Sequence, residues 1–303
     1  MSTSILQVRN TRMDGNASLL MVFLTLVWGM NAVAGKVAVE GFDPIFLSFL
    51  RAALAIVAVY GWCRYRKIRI FERDGSLLSG CLVGILFGIE FLLIYWGLDL
   101  TSASRANLMT NTMPLFTLIG GHYILKERVS WLKFIAMIIA FVGVFFVFFD
   151  KLSMPAPNAV LGDLLCIMGG AAWAATALAI RATRVGTVAP EKTLLYQLAG
   201  AVLVALPFLP YSDGLLRNPG LAEWAALAFQ AFFVVAFTYV IWFWLMAKYP
   251  LGGLSAFTFL SPVFGVLLSA LFLGDPLTMN VIYGTGLIVF GLVLINTSFG
   301  KAK

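Results

Sequence analysis

The sequence predicts an all-α integral membrane protein with ten transmembrane helices. Hydrophobic residues make up 61% of its 303 residues and charged residues only 12%, and the mean hydropathy is +0.95. A soluble domain of this composition would lack the polar residues needed to cover its surface. The chain also contains ten apolar windows of about 20 residues, the length of helix that crosses ~30 Å of hydrocarbon. They lack the period-two alternation of barrel strands, so each window is expected to be a helix.

The windows divide the chain into two groups of five. They are 18–37, 44–63, 76–98, 102–125, 131–149, 160–181, 191–210, 221–247, 251–273 and 277–297. We therefore expect an N-terminal tail (1–17), a first five-helix repeat (18–150), an external linker (151–158), a second five-helix repeat (159–298) and a C-terminal tail (299–303).

Basic residues are concentrated in alternate connections between the windows. These connections contain Arg64, Arg66, Lys67, Arg69 and Arg73, then Lys126, Arg128 and Lys133, then Arg181, Arg184 and Lys192, and finally Lys248. The opposite connections are mostly acidic. Since Lys and Arg are enriched in cytoplasmic loops, both termini are expected to be cytoplasmic, in a multi-pass protein of the cell inner (plasma) membrane. The net charge of +7 thus indicates topology rather than nucleic-acid binding.

The two groups of windows resemble each other. The segment Asn111–Pro114 followed by Glu127 in the first group matches Phe259–Pro262 followed by Asp275 in the second, at a shift of 148 residues. Trp28 in the first window similarly corresponds to Trp173 in the sixth. Because five is odd, the second copy must enter the membrane from the opposite face. This arrangement predicts an inverted repeat around a central cavity, which is typical of transporters.

On these features the chain resembles the drug/metabolite transporter superfamily, in its ten-helix branch built from two EamA-type repeats, and within it the aromatic amino acid exporters. The resemblance rests on Trp28-Gly29-x-Asn31, on the Pro114 and Pro262 segments and on the ten-span layout. It implies export of small metabolites, such as amino acids, across the bacterial inner membrane by alternating access around a central cavity.

Two ionisable residues inside the windows are candidates for substrate binding. An isolated charge at the centre of a membrane helix costs about 2.5–3.5 kcal/mol on insertion scales, so Glu90 in the third window should face the bundle interior. Arg51 in the second window could hold a substrate carboxylate through two hydrogen bonds. The alternatives are a structural ion pair between Glu90 and Arg51, or an Arg51 side chain that reaches the outer interface.

The other candidates are aromatic and amide side chains near the middle of the windows. Trp28 and Trp173 lie at mid-span, where an indole is expected either in a cavity wall or in simple packing. The remaining substrate-binding candidates are Asn31, Asn107, Asn111 and Tyr239. Pro114 and Pro262 each remove a helical hydrogen bond and are candidate hinges.

The sequence also limits the kind of chemistry. There is no GxxxxGK[ST] loop, no HExxH motif and no cysteine cluster. We therefore expect no enzyme, metal site or cofactor. A secondary exporter of amino acids, including aromatic ones, is the leading hypothesis. Export of nucleobases, nucleosides or cationic drugs stays open, as do a passive channel, the mode of energy coupling and a homodimer formed through glycine-rich helix faces such as Gly80, Gly84 and Gly88.

Overall fold

A computed structural model describes residues 13–127, 129–152, 158–212, 214–273 and 277–298. Within these ranges every regular element is helical, apart from one isolated antiparallel bridge between Phe42 and Leu216. Residues 1–12 of the expected N-terminal tail, 153–157 of the linker, Arg128, Asp275 and the C-terminal tail lie outside the described residues.

Thirteen α-helices make up the described part of the bundle. They are α1 (Gly15–Gly41), α2 (Pro44–Tyr65), α3 (Leu77–Leu100), α4 (Ala103–Thr110), α5 (Met113–Tyr123), α6 (Trp131–Phe148), α7 (Ala159–Ala182), α8 (Pro190–Ala205), α9 (Leu221–Ala228), α10 (Tyr239–Lys248), α11 (Leu251–Phe257), α12 (Leu260–Leu273) and α13 (Met279–Ser298). A π-helical segment, Phe229–Thr238, joins α9 to α10. Short 3₁₀ turns follow α6, α7 and α8.

Eight helical stretches in the described ranges are long and apolar enough to cross a membrane, and Met279–Ile295 is a shorter apolar helix. The chain is therefore a multi-pass membrane protein. The remaining predicted window, 102–125, does not form one continuous helix. It is divided between α4 and α5, and neither part is long enough to span a bilayer by itself. Ten spans, the inverted relation of the halves and the cytoplasmic termini thus stay predictions.

The fourth and ninth windows are broken just before their prolines. Between α4 and α5 the Thr112 N–H donates to the Met109 carbonyl, at 3.2 Å. Between α11 and α12 the Phe259 N–H donates to the Ala256 carbonyl, also at 3.2 Å. These i→i−3 bonds end one helix, and Pro114 or Pro262 then lies in the first turn of the next, where its missing N–H costs little. The prolines thus accompany a break rather than a kink in a continuous helix.

Glycines allow two pairs of helices to pack closely. A Cβ on Gly200 of α8 would lie 2.1 Å from the backbone of Gly84 on α3, and one on Gly143 of α6 would lie 2.7 Å from the Gly284 carbonyl on α13. The glycine face of α3 is thus used for packing within the chain. Helices α6 and α13 pack on each other and supply no side chain to the cavity described below.

Polar contacts tie the two halves together at both ends of the bundle. At the end formed by the α2–α3 loop, Lys192 Nζ lies 2.7 Å from Asp74 Oδ2, and the Ser76 and Tyr196 hydroxyl oxygens are 3.1 Å apart. The hydrogen bonds from Lys192 and Ser76 hold the pKa of the Asp74 carboxyl well below its usual range. At the end formed by the α3–α4 turn, Arg217 bonds Asp99 at 2.9 Å. We call these the basic end and the acidic end.

Candidate functional site

The candidate site is a cavity between the two halves, with an empty volume of about 850 Å³ including its mouth. It extends along α3 from Glu90 to Leu98, so it runs from the middle of the bundle toward the acidic end. Seven of the eight predicted substrate-binding residues line it: Trp28, Asn31, Glu90, Asn107, Asn111, Trp173 and Tyr239. The other lining residues are Phe91, Ile94, Leu98, Ala106, Thr110, Thr258 and Ser261.

An aromatic cluster closes the inner end of this cavity. The Trp28 ring meets Trp173, Tyr239 and Trp242 edge to face, with centroid distances of 6.2, 6.1 and 5.4 Å. The Trp28 indole N–H donates to the Thr238 hydroxyl at 2.9 Å, which fixes the orientation of the ring. A second space of about 300 Å³ lies across the cluster, lined by Trp28, Trp173 and Tyr239 as well. The aromatic cluster therefore separates two spaces along one path.

Two oxygen atoms in the cavity wall have no hydrogen-bond donor among the described residues. Glu90 is 2% exposed, and its Oε2 has no partner in the described residues, although the Thr176 hydroxyl lies beside the carboxyl group. Asn31 Oδ1 is likewise buried without a partner. A buried acceptor without a donor costs about 1–3 kcal/mol. A ligand that offers N–H donors to both oxygens would recover that energy.

Arg51 does not line the cavity, in contrast to the open carboxylate clamp that the sequence suggested. The side chain is completely buried, and its guanidinium lies 3.7 Å from the centroid of the Phe91 ring. It forms no salt bridge with Glu90 in the described structure, although the two are close enough for electrostatic attraction. It does not extend to an interface either. The Phe91 ring, which lines the cavity, thus also packs against the Arg51 guanidinium.

The amides of α4 lie near the break that follows them. Asn111 Nδ2 donates to the Asn107 carbonyl at 2.8 Å and to Asn107 Oδ1 at 2.7 Å. Asn111 is the C-cap of α4, so its side chain satisfies part of the helix end. Asn107 and Asn111 therefore form hydrogen bonds at the helix break and also line the cavity. Pro114 and Pro262 do not line the cavity, and their predicted hinge role rests on the two breaks alone.

Several site residues were not identified from the sequence. Phe91 and Thr238 carry no signal by themselves, since an apolar ring and a single hydroxyl are common in membrane helices. Thr110 and Thr258 could have been found, because the shift of 148 residues that relates Pro114 to Pro262 also relates them. Among the described residues, no group of three or more His, Cys, Asp or Glu side chains could hold a metal ion.

A multi-pass helical bundle with a polar-lined central cavity between two related halves defines a class, the membrane transporters. Within that class the chain belongs to the EamA-like transporter family, whose model matches it twice, over residues 16–149 and 160–297. The chain thus contains two EamA repeats, and the resemblance to EamA-type transporters noted from the sequence is confirmed. Membership also implies a small-molecule substrate.

The curated relatives support the same class. The chain is 22% identical to the uncharacterized transporter YoaV of Bacillus subtilis, over 93% of this chain and 97% of that protein. It is 25% identical to a probable amino-acid metabolite efflux pump of Escherichia coli, over 94% and 95% of the two chains. A solved protein structure with 19% sequence identity superposes with a TM-score of 0.79, covering 95% of this chain and all of that chain, which supports the fold.

Proposed function

We propose that this transporter exports amino acids, including aromatic ones, across the bacterial inner membrane. The observation that carries the proposal is a pair of acceptors without a partner among the described residues, Glu90 Oε2 and Asn31 Oδ1, in one cavity with four aromatic rings. An ammonium group has three donors and a positive charge, so it suits a carboxylate and an amide oxygen. The rings of the aromatic cluster would then face a side chain of variable shape.

The relatives add support without deciding the substrate. The Escherichia coli and Salmonella typhimurium proteins are named probable amino-acid metabolite efflux pumps, at 25% and 24% identity. Identity at this level leaves room for a different substrate in the same fold. Cationic drugs would also satisfy Glu90 and the rings, so they are the second candidate, and nucleobases or nucleosides are the third.

Alternating access is the mechanism that we propose. The large cavity lies on the acidic side of the aromatic cluster and the smaller space on its basic side. If the basic end is cytoplasmic, as its Arg and Lys residues favour, the cavity faces outward and the cluster is the closed gate. Movement at the two helix breaks would exchange the open and closed sides. The hinges would then be the segments before Pro114 and Pro262, in spans four and nine of ten.

The test is to measure substrate flux into liposomes that contain the purified protein. The substrates are a panel of amino acids, nucleosides and organic cations, and each is measured in the presence and in the absence of a pH gradient. We expect saturable amino-acid flux that a counter-substrate stimulates, and Glu90→Gln should reduce it at least about tenfold, the loss of one charge-assisted contact. Glu40→Gln is the matched control, since Glu40 is an exposed carboxyl near the end of α1. Flux of cations or nucleosides without amino acids would overturn the substrate, and unsaturable flux would indicate a channel.

A further inference from the structure

The Arg51 guanidinium is buried among aromatic and polar side chains, with the Glu90 carboxylate and the Tyr239 side chain close by. All three guanidinium nitrogens are buried without a hydrogen-bond partner in the described part of the chain. The guanidinium carbon lies 5.4 Å from the centroid of the Tyr95 ring, and the Tyr95 hydroxyl donates to Gln230 Oε1 at 3.1 Å. That bond leaves the other end of the amide, Gln230 Nε2, as one more buried donor without a partner.

The cation–π contacts of Arg51 do not by themselves balance the burial of its charge. A cation–π contact contributes about 0.5–2 kcal/mol, depending on how dry it is. A charged side chain in the middle of a membrane helix costs about 2.5–3.5 kcal/mol even on the lowest scales, before any loss of hydrogen bonds. Unpaired donors add about 1–3 kcal/mol for each group left without a partner. A ligand of opposite charge that reached the guanidinium would lower this cost.

The Phe91 ring lies between the Arg51 guanidinium and the cavity. Phe91 lines the cavity and also covers the guanidinium at 3.7 Å. Its neighbour in sequence, Glu90, lines the same wall. A rotation of the Phe91 side chain would therefore place a cation and a carboxylate side by side on one surface. This spacing of opposite charges suits a zwitterion, whose ammonium and carboxylate groups are held together on one carbon.

We propose that Arg51, Gln230 and Tyr95 form an anion subsite behind the cavity wall, that Phe91 covers this subsite, and that the substrate carboxylate enters it when Phe91 turns away. A carboxylate offers about four lone pairs and matches the fork of a guanidinium with two parallel hydrogen bonds. The proposal rests on the proposed function, because it gives the recognition of an amino acid a second half. It also makes Phe91 a residue that determines specificity, since the ring excludes ligands that cannot displace it.

Whether Phe91 covers Arg51 can be tested without any substrate. The three cysteines, Cys63, Cys81 and Cys166, are first replaced by serine. The thiol introduced by Arg51→Cys is then labelled with a small methanethiosulfonate reagent. We expect Phe91→Ala to raise the labelling rate about tenfold or more. A tenfold change corresponds to about 1.4 kcal/mol of free energy by which the Phe91 ring favours the covered state. Phe91→Leu should give a smaller increase, and it serves if the alanine variant does not fold.

Phe87→Ala is the matched control. Phe87 lies one turn earlier on α3, with its ring centroid 4.8 Å from that of Phe91, but it does not line the cavity. It should leave the labelling rate of Arg51→Cys nearly unchanged. Equal rates with and without the Phe91 ring, or an equal increase from Phe87→Ala, would overturn the cover.

The subsite is tested by comparing two ligands that differ only in the carboxylate. Phenylalanine and phenylalaninamide share the ring and the ammonium group. We expect the purified protein to bind phenylalanine at least about tenfold more tightly, the value of one charge-assisted pair, and Arg51→Gln to reduce that ratio to about one. A ratio that Arg51→Gln leaves unchanged would overturn the subsite. If neither ligand binds, the proposed amino-acid function fails, and the labelling rates still decide whether Phe91 covers Arg51.

Discussion

The two EamA repeats differ in the charge of a buried side chain on the second helix of each repeat. Arg51 lies seven residues after Pro44, which begins α2, and Gln197 lies seven residues after Pro190, which begins α8. Both side chains are buried and hold polar atoms without partners in the described structure. The first repeat thus has a cation where the second has a neutral amide.

The same contrast recurs one helix later. The shift of 148 residues that relates Pro114 to Pro262, applied to Glu90 on α3, leads to Thr238, the last residue of the π-helical segment. The Thr176 hydroxyl lies beside Glu90, while the Trp28 indole donates to Thr238. Each polar group therefore meets a side chain from the other half. At these positions the first repeat contributes the charges and the second contributes neutral hydrogen-bonding groups, so the proposed recognition would be asymmetric between the two repeats.

The largest effect is expected from removing the charge of Glu90, compared with removing the hydroxyl group of Thr238. Glu90→Gln removes a charge that would bind an ammonium group, and Thr238→Val removes only a neutral hydroxyl of similar shape. A charge-assisted bond contributes about 1.5–3 kcal/mol and a neutral bond about 0.5–1.5 kcal/mol. Amino-acid flux in liposomes should therefore fall about ten- to hundredfold in the first variant and only a few-fold in the second. Equal losses would mean that the two repeats contribute equally to binding.

The next effect concerns how the repeats hold together. Gly84 and Gly200 let α3 and α8 approach each other closely. The corresponding contact of the other repeat joins the π-helical segment to α2, and there Phe232 takes the position of Gly84. Gly200→Ala would place its Cβ 2.1 Å from the Gly84 backbone, and overpacking of this kind costs about 1–3 kcal/mol or more. The variant should yield less monodisperse protein with a lower melting temperature.

Gly286→Ala is the control for that variant. It adds the same methyl group on α13 at a site with nothing within 4 Å. Its melting temperature should match that of the unmodified protein. A stable Gly200→Ala protein would show that the α3–α8 contact can separate without cost, contrary to its role in joining the repeats.

A third prediction separates a binding group from a structural one. Replacing a buried charge by a hydrophobic side chain of similar volume is often neutral or stabilising, by about 1–4 kcal/mol. Arg51→Met should therefore keep or raise the melting temperature while it impairs amino-acid binding. Arg105→Met should lower the melting temperature, because it leaves the buried Asp163 carboxylate without its ion-pair partner. A large loss of stability in Arg51→Met would assign Arg51 to structure.

The sequence predicted the cavity better than it predicted the shape of the helices. Glu90, Trp28 and Trp173 could be identified because polar or bulky side chains at mid-membrane depth must be accommodated inside the bundle. The break at Asn111 was not predictable in detail, since a proline signals a lost hydrogen bond but not where the chain turns. The π-helical segment has no sequence signal of its own, because apolar residues of any spacing suit lipid.

Arg51 shows the same limit at the level of one side chain. Its depth in α2 indicated that it must be buried or paired, but depth does not reveal which ring covers it. Phe91 was therefore missed, because only the packing of α2 against α3 brings the two together. Periodicity and composition predict which residues face inward. Which side chains pack behind the cavity wall depends on tertiary contacts, which the sequence pattern does not reveal.

The smallest expected effect compares the paired tryptophans. Trp28→Phe keeps a ring in the aromatic cluster but loses the 2.9 Å bond to Thr238, whereas no such bond from Trp173 is present in the described structure. A neutral hydrogen bond contributes about 0.5–1.5 kcal/mol, which corresponds to a change of a few-fold in a binding constant. Binding of phenylalanine, followed by calorimetry, should thus weaken a few-fold in Trp28→Phe and less in Trp173→Phe. The reverse order would place the more important ring in the second repeat and contradict a gate fixed by the bond from Trp28 to Thr238.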